Sequence, residues 1–559
     1  MHRAFKSEDI IYSVLKYLKR KDLKNVAMTC RDLSAPARNI LWSKRTSMVS
    51  LITCLPQDAW ELKDYTINLT REPTPSEWGL FQTNASRVRR LIVLNPDRCM
   101  PWQKRRIPKI NVSGLLPRLL EQFPPATLFP NLCSFDSRAL RESSSDLSLV
   151  RKFMSPRLEA LIVHVSATVP PYEVEQFIGA LAIEGHGLRQ LSISMDDGEM
   201  AFAVLPNFEY LPKLIELAIH GVDVSLTRQT ITNIQQLRCL KTLKLSLLGT
   251  CCDGGVVALE LSSLESLSLS GVDSGLPQCT RFIRQITTRQ LSHVAITYFQ
   301  RASPIELFAF MESLSGLCQN HGSLKQIRVV DKTPRTLRPY YIDSLPVIPL
   351  CSDVFRPLLK FTGLLSVEFV DTGNFLLDDQ FIHQITDTWP GIQKLGFESV
   401  LPSFINVTFN AMMSLATKCK LLRSLSITCE HSQPILIPQA EDGTERLWPA
   451  QTALRALNLE DTPLQEVGNL PYILGNVFPA LNPARFESGR YVMIPDPIPS
   501  NPPIDVMAEI KRALWEMPDR VDYRVHPDSD DEYSEYSEDE DLYYLDYQYE
   551  LESDSGSED

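Results

Sequence analysis

The sequence predicts an α/β solenoid in which parallel strands form a concave face and helices pack outside it. A six-residue phrase with apolar residues at positions one, four and six recurs through most of the chain. Segments with helical spacing of apolar residues separate the copies, and from Leu158 onward successive copies begin 24 to 40 residues apart. Because strand, helix and strand alternate, neighbouring strands should pair in parallel. Since helices are wider than strands, the stack should curve with the strands inside.

The clearest copy of the phrase is Leu240-Lys-Thr-Leu243-Lys-Leu245. Other copies have their apolar positions at Leu188/Leu191/Ile193, Leu214/Leu217/Ile219, Leu264/Leu267/Leu269, Leu291/Val294/Ile296, Leu324/Ile327/Val329, Ile392/Leu395/Phe397, Leu422/Leu425/Ile427 and Leu454/Leu457/Leu459. Weaker copies begin at Val88, Leu132, Leu158 and Leu364. The pattern resembles an irregular leucine-rich-repeat array, a horseshoe solenoid whose repeats are about 20 to 29 residues long.

Composition and charge fit a folded chain with one unusual end. Of the 559 residues, 44% are hydrophobic and 22% are charged, which is ordinary for a globular protein. The net charge of −12 is misleading, because residues 528–559 contain 15 acidic and no basic side chains. The other 527 residues therefore carry −12 + 15 = +3. This near-neutral body does not favour nucleic acid as the partner.

Three short amphipathic helices are predicted in the first fifty residues. Ser7 is placed to cap the first, and Asp22 to cap the second. The third should begin near Ser34 with Pro36 in its first turn, where a missing N–H costs nothing. The apolar residues with helical spacing are Ile10, Ile11, Val14, Leu15, Leu18, Leu23, Val26, Ala27, Cys30, Ala37, Ile40, Leu41 and Trp42.

The order of these residues, from Ile10-Ile11 to the final Leu41-Trp42, resembles the F-box motif of fungal F-box proteins. The resemblance implies binding to the Skp-type adaptor of an SCF ubiquitin ligase, and through the adaptor to a cullin. The implied adaptor-binding residues are Ile10, Ile11, Val14, Leu15, Leu18, Leu23, Val26, Cys30, Leu41 and Trp42. The chain departs from the family at Ser7-Glu8, where Leu-Pro is usual, so polar and charged atoms replace an apolar anchor. An alternative interpretation is a helical cap on the open end of the repeat array.

Period two along each strand predicts which residues face the concave solvent. With positions one, four and six inward, positions three, five and seven point outward. The outward residues are mostly small and polar, which is typical of a recognition surface and not of a catalytic cleft. The candidate target-binding residues among them are Glu216, His220, Thr242, Lys244, Ser266, Ser268, His293 and Arg328.

Chemistry-bearing motifs are missing from the sequence. It contains no phosphate-binding glycine loop, HExxH helix, nucleophile elbow or Cys/His cluster with metal-ligand spacing. We therefore expect a noncatalytic protein without cofactor or metal. Cys239, Cys419 and Cys429 lie in or beside apolar segments and are interpreted as reduced core thiols. No apolar run approaches the ~20 residues of a membrane span, so we expect a cytoplasmic or nuclear protein.

Two insertions and the C-terminal end complete the domain prediction. A basic loop spans residues 98–109, and a proline-rich insertion spans residues 333–354. After a proline-rich break, Asp505 should cap a helix and Val521, Tyr523 and Val525 should form a strand. The predicted domains are residues 1–50 for the F-box-like helices, 51–493 for the solenoid, 494–527 for the break and C-terminal cap, and 528–559 for a disordered acidic tail.

The resemblance and the repeats together indicate a substrate-recognition subunit of an SCF-type ligase. The F-box would bind the adaptor and the repeats would bind an unknown target protein. The alternative hypothesis is a ligase-independent interaction scaffold whose solenoid and acidic tail bind a basic partner.

Overall fold

One parallel sheet runs through almost the whole chain, with helices on one of its faces. The computed structural model describes residues 7–43, 46–63, 66–92, 115–137, 146–165, 169–185, 187–195, 201–202, 211–224, 228–247, 259–271, 275–317, 322–333, 348–399, 407–429, 450–459, 470–487 and 506–516.

In the described residues, the main sheet contains 16 strands in the order β1-β4-β5-β6-β7-β9-β10-β12-β14-β15-β17-β19-β20-β21-β22, with β8 pairing beside β9. These strands are β1 Thr46–Ser47, β4 Arg90–Ile92, β5 Ser134–Asp136, β6 Ala160–Val165, β7 Gln190–Met195, β8 Ala201–Phe202, β9 Glu216–Val224, β10 Thr242–Leu247, β12 Ser266–Gly271, β14 His293–Tyr298, β15 Gln326–Asp331, β17 Ser366–Val370, β19 Lys394–Glu398, β20 Ser424–Ser426, β21 Ala456–Asn458 and β22 Phe486–Glu487. Three small sheets are formed by β2 Trp60–Lys63 with β3 Thr66–Leu69, β11 Leu259–Glu260 with β13 Ile286–Thr287, and β16 Leu350–Cys351 with β18 Phe375–Leu376.

The helices form the N-terminal module, lie between consecutive strands or, in the case of the last one, follow the last strand. They are α1 Glu8–Leu15, α2 Arg20–Thr29, α3 Arg31–Ser43, α4 Met48–Ile52, α5 Pro75–Ala85, α6 Leu116–Gln122, α7 Pro125–Leu128, α8 Asp146–Lys152, α9 Pro171–Glu184, α10 Arg228–Gln235, α11 Gly275–Gln285, α12 Pro304–Leu317, α13 Ser352–Phe355, α14 Asp379–Thr388, α15 Phe409–Lys418, α16 Leu470–Val477 and α17 Val506–Glu516. Short 3-10 turns lie at Gln57–Ala59, Arg356–Lys360 and Pro483–Arg485.

The leucine phrase sets the register of the main sheet, as predicted. Leu243 lies beside Leu217 on one neighbouring strand and beside Leu267 on the other. All three side chains are fully buried between the sheet and the helices. Equivalent leucines of neighbouring copies lie side by side, and a one-residue slip would expose every buried side chain. Between β9 and β10 the register shifts after Leu245, so that Ser246 pairs with Asp223. The weaker copies at Val88, Leu132, Leu158 and Leu364 also form strands of this sheet.

The array starts before residue 51, the predicted first residue of the solenoid. The strand Thr66–Leu69 pairs antiparallel with Trp60–Lys63 in a separate hairpin and does not join the main sheet. The first parallel strand is instead Thr46–Ser47, which pairs with β4. The helix that follows it, α4, contributes Met48, Leu51 and Ile52 to the solenoid core. The predicted boundary at residue 50 therefore falls inside an element of the array.

The three N-terminal helices form, and the first starts after Ser7 as predicted, whereas the second and third start earlier than predicted. Ser7 is the N-cap of α1, yet its hydroxyl makes no capping hydrogen bond. Asp22 lies in the first turn of α2, where its charge is still favourable, and Lys19 is the N-cap. The third helix begins at Arg31, so Pro36 is an interior residue and not a first-turn residue.

At the other end, α17 packs against α16 and closes the described part of the array. Its Ile510 and Leu514 are fully buried, as expected for a C-terminal cap. The basic loop at 98–109, most of the insertion at 333–354, the predicted Asp505 cap and 521–525 strand, and the tail at 528–559 lie outside the described residues.

None of the helices in the described residues is long and apolar enough to cross a membrane.

Of the three cysteines interpreted as core thiols, Cys419 and Cys429 are buried. Burial raises the pKa of Cys419 to about 11 and that of Cys429 to about 12. Cys239 is exposed, so its interpretation as a core thiol is wrong. It occupies the turn before Leu240, where the neighbouring leucine takes the inward position.

Candidate protein-binding surfaces

The side of the main sheet that faces away from the helices is called the strand face here, and it carries positions three and five of each repeat. Pairing aligns Glu216, Thr242, Ser266 and His293 in one row across four strands. A second row contains Lys244, Ser268, Ala295 and Arg328. Seven of the eight candidate target-binding residues thus lie in two adjacent rows of one surface.

The eighth candidate, His220, occupies position seven of its repeat. Residues at position seven were predicted to face solvent, but several of them are buried or half-buried. His220 is half-buried, and at the equivalent positions His164, Ser246 and Thr428 are buried. The His164 ring nitrogen Nδ1 lies 3.0 Å from the Ser194 hydroxyl on the next strand. Position seven is close to the carboxyl ends of the strands. The accessible strand face is therefore narrower than three positions per repeat.

Charged side chains of the strand face are paired across strands. Lys244 Nζ lies 3.5 Å from Glu216 Oε1 on the neighbouring strand. Such partly exposed pairs contribute only about 0.2–1 kcal/mol to stability. Their effect is mainly to hold long side chains in fixed positions, which favours a recognition role over a stabilising one.

Between Lys244 and Arg328 the strand face is lined by small side chains. Ser268 and Ala295 occupy the two intervening strands in the same row. Three strand spacings of about 4.8 Å separate the two cationic residues by about 14 Å at the backbone. The centre of the surface is thus a shallow polar strip with a charged residue at each end.

The strongest charge cluster of the strand face centres on Glu368, which the sequence interpretation did not single out. Glu368 Oε2 lies 2.7 Å from Lys394 Nζ and 3.9 Å from Arg328 Nε. The Ser366 hydroxyl donates a hydrogen bond of 3.2 Å to the same carboxylate. The carboxylate is almost buried, whereas both cations are about half exposed. Glu368 therefore holds two cations at the surface. Applying the phrase to the weak copy at Leu364 would have placed it at position five.

Burial, followed by the nearby charge of Glu368, raises the pKa of Glu398 above its ordinary value, while Lys394 acts in the opposite direction. His293, at the other end of the surface, has a pKa lowered mainly by burial, and its Nδ1 lies 2.6 Å from the Ser292 hydroxyl.

The raised pKa of Glu398 predicts how stability depends on pH. A group whose pKa is higher in the folded than in the unfolded protein favours folding at low pH, and this stabilisation is lost as pH rises through the folded pKa. We expect Glu398→Gln to raise the melting temperature at pH 7 and to give no increase at pH 3. Thermal unfolding at both pH values measures this, with Glu260→Gln, an exposed glutamate elsewhere, as the control. An equal change at both pH values would contradict the prediction.

The predicted adaptor-binding residues of the N-terminal module differ in burial: most are buried or partly buried, and two are exposed. Ile11, Leu15 and Leu23 are buried with Ala37 and Ile40 in a small core distinct from that of the solenoid. Leu18, Val26 and Leu41 pack at its edge, Cys30 is half-buried, and Trp42 packs against the solenoid core. In this structure, Ile11, Leu15 and Leu23 therefore stabilise the module and do not form part of its surface.

The exposed group is small and apolar. Ile10 is 44% exposed and Val14 is 50% exposed, and they lie one turn apart on α1. Tyr17, in the turn after α1, is 83% exposed, and Met28 on α2 is 86% exposed. These four residues are called the apolar stripe. Tyr17 and Met28 were not among the predicted site residues. Their exposure could not be read from helical periodicity, because Tyr17 lies beyond the end of α1.

In the part of the chain that the structure describes, no three His, Cys, Asp or Glu side chains lie close enough to hold a metal ion.

No family model and no curated protein matches the chain. It is similar to the TLR13 chain of a complex with single-stranded RNA, at 17% identity over 65% of this chain and 46% of that chain, with a TM-score of 0.32. It is also similar to a leucine-rich-repeat protein of Leptospira interrogans, at 16% identity over 67% of this chain and 86% of that chain, with a TM-score of 0.28.

A third similar structure is an internalin of Listeria monocytogenes, at 13% identity over 57% of this chain and 93% of that chain, with a TM-score of 0.23. The chain spans less than half the length of the TLR13 chain. The repeated phrase, the parallel register and the helices on one face make the array leucine-rich-repeat-like.

Proposed function

We propose that the chain is the target-recognition subunit of an SCF-type ubiquitin ligase, with no catalytic centre of its own. The N-terminal module binds a Skp-type adaptor, which connects it to a cullin, and the strand face binds a protein target. Ubiquitin transfer to that target then gains from proximity. The F-box resemblance is the reason for proposing a Skp-type adaptor as the partner. The structural observation that carries the proposal is the exposed apolar stripe on a three-helix module that has its own core.

The apolar stripe is placed to bind a partner. It comprises four large apolar side chains within 19 residues, on a module that has its own small core. Ile10, Val14 and Tyr17 follow one another along α1 and the turn after it. Neighbouring exposed apolar side chains of this kind mark interaction sites more often than isolated ones do. Leu-Pro is absent at Ser7-Glu8, so in this proposal the apolar stripe is the apolar surface that the module offers to the adaptor.

The test is recovery of a Skp-type adaptor with the full-length chain. We expect the double variant Val14→Asp/Tyr17→Asp to lower the affinity at least about tenfold, since charging the centre of an apolar interface typically removes a hot spot. The melting temperature should not change, because both side chains are exposed. The matched control is Ile183→Asp/Ile305→Asp, two isoleucines that are 70% and 81% exposed on solenoid helices. Leu15→Asp is unsuitable, because it would disrupt the module core.

Failure of the unaltered chain to retain the adaptor, under conditions in which another F-box protein retains it, would refute the ligase role. The chain would then be a ligase-independent scaffold that uses the strand face alone. Equal loss in the control variant would show that the apolar stripe is not the contact.

A further inference from the structure

The strand face has a recess one residue wide at Gly396. Strand β19 carries Lys394, Gly396 and Glu398 on this face, because alternate residues point to the same side of a strand. Pairing places Gly396 between Glu368 on β17 and Ser426 on β20. Glycine has no side chain, so the row of side chains that crosses these three strands is interrupted here.

The backbone does not require glycine at this position. The φ angle of Gly396 is not positive, so a residue with a side chain can adopt the same conformation. A Cβ atom on Gly396 would lie 3.7 Å from the Ser426 Cβ, 3.8 Å from Glu398 Oε1 and 4.0 Å from the Glu368 Cγ. These are ordinary van der Waals distances. The recess therefore has room for a carbon atom, and the fold itself does not use that room.

Carboxylates lie on two sides of the recess. Glu368 Oε2 is paired with Lys394 Nζ at 2.7 Å. Glu398 is half-buried and accepts a hydrogen bond from the Ser426 hydroxyl, and among the described residues no cation lies within ion-pairing distance of it. The cation nearest to Glu398 in sequence is thus already held by the other carboxylate.

The charges around Glu398 do not balance. Burial and then the charge of Glu368 raise the pKa of Glu398, and Asp371 acts in the same direction. Lys394 and the hydrogen bond from Ser426 lower the pKa, but they do not offset the groups that raise it. The ionised carboxylate is therefore unfavourable where it lies, and a further cation beside it would stabilise it. Ionisable groups in this condition are common at functional sites.

A second polar group at this place lacks a partner. Thr428 occupies position seven of its repeat, as Glu398 does, and both follow the Gly396–Ser426 pair by two residues. The Thr428 residue is only 8% exposed, and among the described residues its hydroxyl makes no hydrogen bond. A hydrogen-bond donor that reaches Glu398 can also satisfy this oxygen.

We propose that the recess at Gly396 receives an arginine or lysine side chain of the target, with its cationic group against Glu398. This inference rests on the proposed function, because it requires the target to occupy the strand face. A basic side chain fits by charge, since it supplies what Glu398 lacks. It also fits by shape, since the aliphatic stem of either side chain is narrow and packs readily against apolar atoms.

The test uses arrays of synthetic peptides that have random flanking residues and one fixed central residue, probed with the full-length chain. The fixed residue is arginine, lysine, citrulline, leucine or glutamate, and citrulline keeps the shape of arginine without its charge. We expect the arginine and lysine peptides to retain at least about tenfold more of the chain than the citrulline peptides at pH 7, as is usual for a partly buried charge pair.

Two variants should each remove this preference. Gly396→Val fills the recess without changing the charge. Glu398→Gln removes the charge, while the melting temperature at pH 7 rises. If Glu398 were merely structural, a more stable protein would not lose binding. The matched controls are Ala160→Val, which adds the same side chain to another strand of the strand face, and Glu260→Gln, which removes an exposed carboxylate elsewhere. Both controls should keep the preference.

Equal binding of the arginine and citrulline peptides would overturn the proposal. A preference for the glutamate peptides would also overturn it, because an acidic side chain attracted to Lys394 would then be the occupant. A preference for basic peptides that survives both variants would place their binding elsewhere on this acidic chain and reject the recess. If Gly396→Val does not fold, Glu398→Gln decides the outcome alone. Adaptor recovery plays no part in the assay, so failure of this proposal is distinguishable from failure of the ligase role.

Discussion

Replacing Gln451 with leucine is expected to lower the free energy of unfolding by about 4 kcal/mol, since each buried backbone group left without a partner costs on the order of 1–3 kcal/mol. Gln451 is completely buried. Its Nε2 donates to the Cys419 and Leu422 carbonyls at 3.2 and 2.8 Å. Its Oε1 accepts hydrogen bonds from the Ala453 and Leu454 N–H groups at 2.9 and 2.7 Å. The substitution removes all four bonds while retaining most of the side-chain volume.

The position of Gln451 explains why the loss should be large. Its side chain connects the turn before β20 to the turn before β21, and its backbone N–H donates to the Val477 carbonyl at 2.7 Å in the following repeat. One residue thus links three successive repeats. In a solenoid, stability depends on contacts between neighbouring repeats, so weakening this link should separate the last repeats from the rest.

Chemical denaturation of the full-length chain measures the loss, and hydrogen exchange at the Ala453 and Leu454 amides locates it. We expect both amides to exchange faster in the variant, while the amides of β10 and β12 are less affected. Gln236→Leu is the control, because Gln236 is exposed in a turn of an earlier repeat. A change in unfolding free energy no greater than that of the control would contradict the role assigned to Gln451.

The sequence was sufficient to predict most strands of the main sheet, because each leucine phrase marks its own inward-facing positions. It did not predict β1, β8 and β22, which belong to none of the copies. It could not identify Gln451 as buried, because a glutamine three residues before Leu454 looks like any polar turn residue. Its burial depends on carbonyls 29 and 32 residues earlier in the chain. Tertiary pairing of this kind leaves no periodic signal.

The candidate binding surfaces also could be predicted only in part from the sequence. The alternation of inward and outward residues along each strand predicted the two rows of the strand face. It did not identify the charge cluster at Glu368, because the repeat of Glu368 is a weak copy of the phrase. In the N-terminal module, adjacent Ile10 and Ile11 are both apolar, yet only Ile11 is buried. Helical spacing predicts which side of a helix is apolar, to within about one residue. Which edge of that apolar side is buried depends on the angles at which the three helices cross.

The second large effect is expected for Phe355→Ala, which should destabilise the protein by about 3–5 kcal/mol, as is usual when a buried aromatic side chain is removed. Phe355 is fully buried. Its ring contacts Phe369 at a centroid distance of 4.9 Å and Phe397 at 5.3 Å, both in edge-to-face geometry. It also contacts Phe375 and Phe381 at 5.8 and 6.3 Å.

This aromatic cluster lies directly beneath the charge cluster of the strand face. Phe369 follows Glu368 in β17, and Phe397 precedes Glu398 in β19. The Phe369 and Phe397 rings are stacked at 5.5 Å with an interplanar angle of 11°. A cavity at Phe355 should allow these strands to shift, so Glu368 would hold Lys394 and Arg328 less firmly. We therefore expect target binding to weaken as well as stability.

Thermal unfolding measures the loss of stability, with Phe308→Ala as the control, because Phe308 is 41% exposed on α12. Glu368→Gln tests the cause of weaker target binding, because it removes the charge that holds the two cations and leaves the core intact. If the strand face recognises the target through the fixed cations, both Phe355→Ala and Glu368→Gln should weaken target binding at a temperature where both variants are folded. If only Phe355→Ala weakens it, packing beneath the sheet matters and the Glu368 cluster does not contact the target.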